Sequence, residues 1–118
     1  MKVTHKITRA KAGMFGGTAF AVNVRVTLSA DERAIIDEFG AATGFQIDGE
    51  RFKDVTGANH GYLQLNNFTS GAEFKLPNIQ QGSDFLAQVL SGLQQVKNQI
   101  DATAASAETL DKEFTQEL

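Results

Sequence analysis

The side chains in this chain that could do chemistry are few, and the densest group of them is acidic. Asp48, Glu50 and Asp54 lie within a stretch of seven residues. Paired carboxylates can act in acid–base catalysis or bind a hard cation. However, Asp48 begins an Asp-Gly pair that is typical of a type I′ hairpin turn, and its neighbours suit a solvated hairpin. We therefore interpret the cluster as surface charge and predict no metal site there.

Two histidines, His5 and His60, are the other candidate metal ligands. A zinc site would need both together with carboxylates, and no local ligand spacing links them. Because His5 alternates in step with Val3 and Ile7, we expect it to pack half-buried against the core. The chain has no Cys, which excludes disulfides, thiolate metal sites and cysteine nucleophiles. With no serine-nucleophile or cofactor motif either, the sequence predicts a protein that is not an enzyme and binds no cofactor.

A glycine-rich stretch, residues 13–17, could suggest a phosphate-binding loop. Such a loop would need a following Lys-Ser or Lys-Thr pair and the start of a helix, and both are missing. A turn between two strands explains the glycines better. Met14 and Phe15 form the tip of this turn, and we predict that they contact a partner; the alternative is that they fold back onto the core.

Charge is distributed unevenly along the chain. Residues 1–30 carry five basic residues and no acid, whereas residues 101–118 carry five acids against one Lys. A basic, hydroxyl-rich strand face can follow a phosphate backbone, so nucleic acid is a possible partner. This face lacks aromatic residues that stack on bases, and lysines also protect sheet edges from aggregation. The candidate nucleic-acid-binding residues are Lys2, Lys6, Arg9, Lys11 and Arg25.

Alternation of apolar and polar residues predicts the strands. A first strand covers Lys2 to Lys11, and a second directs one apolar face to the core, formed by Phe20, Val22, Val24, Val26 and Leu28. A hairpin is predicted around Asp48-Gly49, with Phe45 opposite Phe52. Another hairpin joins a strand over residues 62–68 to a strand from Ala72 to Leu76.

Two helices are predicted. Ser29 and Glu32 have the spacing of a capping box, followed by a short helix that turns Ile35 and Ile36 inward. Ser83 is predicted to cap a long amphipathic helix over about residues 83–118. Its apolar residues recur at alternating steps of three and four, as in a coiled-coil seam. The alternative is a break near Ala104-Ala105-Ser106.

These elements predict a single α+β domain over residues 1–118. We expect an antiparallel sheet of about five or six strands, one short helix and the long C-terminal helix. The chain contains no apolar run long enough for a membrane span and no signal-peptide pattern, and it lacks Cys, so we expect a cytoplasmic location without membrane contact.

The function predicted from the sequence is a small, non-enzymatic protein-interaction module. The helix seam is too long to be buried on one small sheet, so we expect self-association, with a dimer favoured. A variant of this hypothesis is a phage or mobile-element inhibitor that blocks a host defence complex, as anti-CRISPR proteins do. The alternative function is nucleic-acid binding by the basic strand face. The predicted partner-binding residues of the seam are Leu93, Val96, Ile100, Leu110 and Phe114.

Overall fold

The computed structural model describes residues 1–11, 18–39 and 65–118. Several sequence-based predictions lie outside these residues. They are the contact tip at Met14 and Phe15, the acidic cluster with its hairpin around Asp48-Gly49, and His60. The remaining predictions concern the sheet, the two predicted helices and the basic strand face.

The sheet of the described residues has three antiparallel strands. β1 (Lys2–Lys11) pairs with β2 (Thr18–Thr27), which pairs with β3 (Ala72–Leu76), in the order β1-β2-β3. In the register, Ile7 lies opposite Val22, and Val22 lies opposite Phe74. The α+β class and the antiparallel sheet are therefore confirmed, but the expected number of five or six strands is wrong for the described sheet.

One predicted strand is a helix, and this accounts for part of the difference. Residues Leu65–Ser70 form α2, not the end of a strand over 62–68. Leu65 and Phe68 are both fully buried, and their spacing of three residues places them on one side of a helix. Gly71 then adopts a φ of 97°, and its N–H donates to the carbonyl of Phe68 at 3.1 Å. This left-handed conformation suits glycine and ends the helix.

The core lies on the face of the sheet that is formed by alternate residues of β2. Val22, Val24 and Val26 are buried there, as the alternation predicts. The prediction needs correction at its two ends. Phe20 is only half-buried because it lies at the end of the sheet, opposite Arg9, and Leu28 packs partly buried just beyond β2. His5 is exposed rather than half-buried, since β1 is an edge strand of the described sheet.

A long helix, α3 (Ile79–Ala107), covers this core face. A Cβ atom at Gly82 would lie 3.5 Å from Val22, so the missing side chain lets the helix approach the sheet closely. One turn later the Phe85 ring meets Phe74 edge-on, with ring centroids 4.8 Å apart. Farther along, Val89, Leu93, Val96 and Ile100 continue the buried side of the helix.

Both ends of α3 differ from the prediction. Asn78, not Ser83, caps the helix, because its side-chain oxygen accepts from the backbone N–H of Gln81 at 2.8 Å. The helix ends at Ala107 instead of continuing to residue 118. Asp111 has a φ of 61°, a left-handed conformation that stops a helix, and residues 112–118 have no regular secondary structure.

The capping box that begins α1 (Ala30–Phe39) is confirmed. The backbone N–H of Glu32 donates to the Ser29 hydroxyl at 3.1 Å, and the backbone N–H of Ser29 donates to the Glu32 carboxylate at 3.0 Å. α1 packs against α3. The molecule is elongated, with dimensions of 72 × 27 × 18 Å, because α3 and the residues after it extend along its long axis.

We predict that two leucines of the predicted seam differ sharply in their contribution to stability. Leu93 is 1% exposed, so Leu93→Ala leaves a cavity and should lower the free energy of unfolding by about 2–5 kcal/mol. Leu110 is 54% exposed, so Leu110→Ala should change it by less than about 0.5 kcal/mol. Urea denaturation of both variants at low protein concentration measures this difference. Equal destabilisation by the two changes would contradict the arrangement of α3.

Candidate interaction surfaces

The predicted helix seam divides into a buried part and an exposed part. Leu93, Val96 and Ile100 are at most 3% exposed and pack in the chain's own core. The prediction that these three residues bind a partner is corrected, because packing within the chain already covers their side chains. Leu110 and Phe114 are 54% and 72% exposed. Only this end of the predicted seam is available to a partner.

The exposed residues belong to what we call the distal segment, residues 108–118. It begins as a tight turn, in which the N–H groups of Thr109 and Leu110 each donate to a carbonyl three residues earlier at 3.1 Å. Leu110, Phe114 and the exposed Leu118 recur every fourth residue, a spacing that would align them on one side of a helix. Four acids and one Lys give the segment a net charge of −3. It therefore combines apolar side chains with acidic neighbours.

The second surface is the face of the sheet opposite α3, which we call the outer face. The register places Arg25 opposite Thr4, and Lys6 opposite Asn23. The exposed residues of the outer face are Lys2, Thr4, Lys6, Arg25, Thr27, Glu73 and Lys75. Four cations and one acid give these residues a net charge of +3.

The structure brings only some of the predicted basic residues together. Lys2, Lys6 and Arg25 share the outer face, whereas Arg9 lies opposite Phe20 and belongs to the other face. Arg9 was predicted to add charge at the end of the strand, and alternation in β1 places it on the face opposite to that of the other three. Lys11 is the last residue of β1. Lys75 was missed, because its place on the outer face depends on the pairing of β3 with β2.

A shallow cavity of about 530 Å³ opens on the outer face. Lys6, Arg25, Gly71 and Glu73 are among the residues that line it. A Cβ atom at Gly71 would lie 3.3 Å from the Arg25 guanidinium, so the glycine leaves room for this side chain. The other end of the same sheet face is covered, since Ala19 and Ala21 are 7% and 2% exposed. Lys2, Lys6 and Arg25 therefore lie on the open part of the outer face, whereas Lys75 lies opposite Ala21, where the covered part begins.

A third cluster of charges surrounds the buried Glu32 carboxylate and is structural. The Glu32 carboxylate lies 2.6 Å from the N-terminal ammonium of Met1 and 3.2 Å from Lys97 Nζ. Lys97 also donates to Asp101 at 2.7 Å. This cluster joins the start of β1, the first turn of α1 and the later part of α3. The sequence showed only the capping role of Glu32, because nothing in a local pattern links it to a lysine 65 positions away.

The charged neighbours of Glu32 determine its pKa. Burial alone would raise the pKa, but the N-terminal ammonium, the backbone N–H and hydroxyl of Ser29, and Lys97 outweigh it. Together they lower the pKa from 4.5 to about 2. In turn, the hydrogen bond to Asp101 raises the pKa of Lys97 against the effect of burial, and Glu32 adds to this increase. Both groups are therefore charged at neutral pH, as a paired cluster requires.

The described part of the chain shows no other arrangement that points to chemistry. No group of three or more His, Asp or Glu side chains in it could hold a metal ion. None of its helices combines the length and the apolarity that crossing a membrane requires. Comparisons of this chain with protein-family models, with curated proteins and with solved structures give no match.

We predict that Glu32 makes the fold sensitive to acid. The pKa of Glu32 is lower in the folded chain than in the unfolded one. Its contribution to the free energy of unfolding is therefore complete above about pH 4.5 and is lost as the pH falls towards 2. The difference corresponds to about 3 kcal/mol. Glu32→Gln, which can still cap α1, should be less stable than the parent at pH 7. Its free energy of unfolding should also depend less on pH between 4.5 and 2.

Urea denaturation at several pH values measures this effect, and Glu38→Gln is the matched control. Glu38 is an exposed residue of the same helix. The free energy of unfolding of Glu38→Gln should therefore depend on pH in the same way as that of the parent. If the free energy of unfolding of Glu32→Gln falls between pH 4.5 and 2 as steeply as that of the parent, the charges around Glu32 do not cause the acid sensitivity.

Proposed function

We propose that this chain is a non-enzymatic protein-interaction module that self-associates through the distal segment, which follows its long helix. The observation that carries the proposal is the exposure of Leu110 and Phe114 beyond Ile100, the last buried residue of α3. Scattered apolar residues are common on protein surfaces. Here they recur at a fixed spacing in one segment that extends away from the core, which is typical of a contact site.

The energetics favour a partner for this segment. Burying Leu110 and Phe114 would contribute about 1.5–3 kcal/mol each, and the folded chain leaves most of that contribution unused. A second copy of the chain is always present at the same concentration as the first. The proposal includes a cytoplasmic location and allows a further protein partner. The phage-inhibitor hypothesis stays a prediction, since it rests only on small size, acidity and the lack of Cys.

The oligomeric state tests this proposal. We expect sedimentation equilibrium to show dimers or larger species at roughly 50 μM. A dissociation constant of this size corresponds to a net free energy of association of about −6 kcal/mol. Leu110→Ser/Phe114→Ser should be monomeric and folded, because both side chains lie outside the core. Ile79→Ser is the matched control, since Ile79 is 60% exposed at the opposite end of α3. A monomeric parent, or a double variant that associates like the parent, would contradict the proposal.

A second candidate function, nucleic-acid binding, is favoured by one observation. Lys2, Lys6, Arg25 and Lys75 are all exposed on the outer face. Four phosphate contacts would give a plot of log affinity against log salt concentration a slope of about −3 to −4. Phosphates bound in this way would position the chain on a backbone without reading its sequence.

Fluorescence anisotropy with labelled single-stranded and double-stranded oligonucleotides tests the second candidate. We expect binding at low salt that falls steeply as salt is added. Lys6→Ala/Arg25→Ala/Lys75→Ala should weaken it strongly, whereas Arg9→Ala/Arg33→Ala, which lie away from the outer face, should have little effect. No binding at low salt would exclude this function.

A further inference from the structure

We propose that the distal segment of one copy docks on the outer face of a second copy, so that the chains associate head to tail. This inference rests on the proposed self-association and names the surface that receives the segment. It differs from a symmetric contact between two distal segments.

Charge complementarity identifies the second copy as the partner. The distal segment carries a net charge of −3, and the exposed residues of the outer face carry +3. Two distal segments side by side would instead bring like charges together, which opposes a symmetric contact. The same chain thus supplies an acidic surface and a basic surface that match in sign and in size.

The positions of the two surfaces favour a contact between different copies. α3 packs on the core face, where Gly82 approaches Val22, and the outer face lies on the other side of the sheet. The later part of α3 passes the first turn of α1, where Lys97 meets Glu32, and the distal segment continues beyond. The segment therefore leaves the molecule from the side opposite its own outer face.

The cavity on the outer face provides a place for an apolar anchor. Its volume of about 530 Å³ can accept an aromatic side chain, and Phe114 is the most exposed aromatic residue of the described chain, at 72%. Arg25 and Lys6 are among the residues that line the cavity. An aromatic ring packs well on a guanidinium and on a lysine stem. Acids on either side of Phe114, Glu113 and Glu117, would then lie near the lysines of the outer face.

This arrangement has two consequences. A head-to-tail contact uses different surfaces on the two copies, so each copy keeps one free surface and the assembly can grow beyond a dimer. Opposite charges attract less in salt, so the association should weaken as salt is added. A symmetric contact between acidic segments would instead stop at a dimer and strengthen with salt.

Mixing two complementary variants tests the inference directly. Leu110→Ser/Phe114→Ser lacks two of the three large apolar residues of the distal segment but keeps the outer face. Lys6→Glu/Arg25→Glu/Lys75→Glu reverses the outer face but keeps the distal segment. We expect each variant alone to be monomeric in sedimentation velocity, and an equimolar mixture to form a 1:1 dimer that cannot grow further. Circular dichroism melting verifies that both variants are folded.

The outcomes separate this inference from the proposed function. If the parent and the charge-reversed variant associate equally, self-association stands but the outer face does not receive the segment. If the mixture stays monomeric while the parent associates, the head-to-tail arrangement is likewise wrong. If the parent itself is monomeric at roughly 50 μM, both proposals fail. Arg9→Glu/Arg33→Glu is the matched control for charge reversal, and it should associate like the parent.

Discussion

The length of the sheet limits how much of the long helix can be buried. β1 and β2 each have ten residues and span about 33 Å, whereas the 29 residues of α3 extend about 43 Å. The sheet and α1 together cover the helix as far as Ile100. Beyond that point, the described part of the chain offers no further core for the helix to pack against. The exposure of Leu110 and Phe114 therefore follows from the dimensions of the elements.

A buried ion cluster fixes the later part of α3 to the rest of the fold. Glu32 receives the N-terminal ammonium on one carboxylate oxygen and faces Lys97 with the other. Removing one partner of such a cluster leaves a buried charge without compensation, which is why buried pairs are sensitive to mutation. The cluster lies next to Ile100 and holds α1 against α3.

The patterns that depend on neighbours in sequence predicted the structure well. The alternation of Val22, Val24 and Val26 predicted the core strand, and Ser29 with Glu32 predicted the start of α1. A helix cap was misplaced because Asn78 and Ser83 are both good caps, and only the contact of Gly82 with the sheet favours the earlier one. Within the strand predicted over residues 62–68, the described residues from Leu65 onward form a helix, because burial of Leu65 and Phe68 on one side outweighed strand propensity.

The candidate surfaces were predicted less completely, because they depend on contacts between distant residues. Nothing in the spacing of the helix seam distinguishes Ile100, which is buried, from Leu110, which is exposed. Pairing of β2 with β3 determines that Lys75 joins Lys6 and Arg25, and that pairing is not visible in the local sequence. The opposite charges of the two ends of the chain were visible from the sequence, but their relation to two separate surfaces was not.

Hydrogen exchange of the backbone amides in residues 108–118, measured at several protein concentrations, shows whether the distal segment docks on a second copy. We expect fast exchange in dilute solution and protection that increases with concentration, together with protection of the outer-face strands. Fast exchange of this segment at every concentration would contradict docking on a second copy. Protection that is already complete in the dilute monomer would contradict it as well, because the segment would then pack on its own chain.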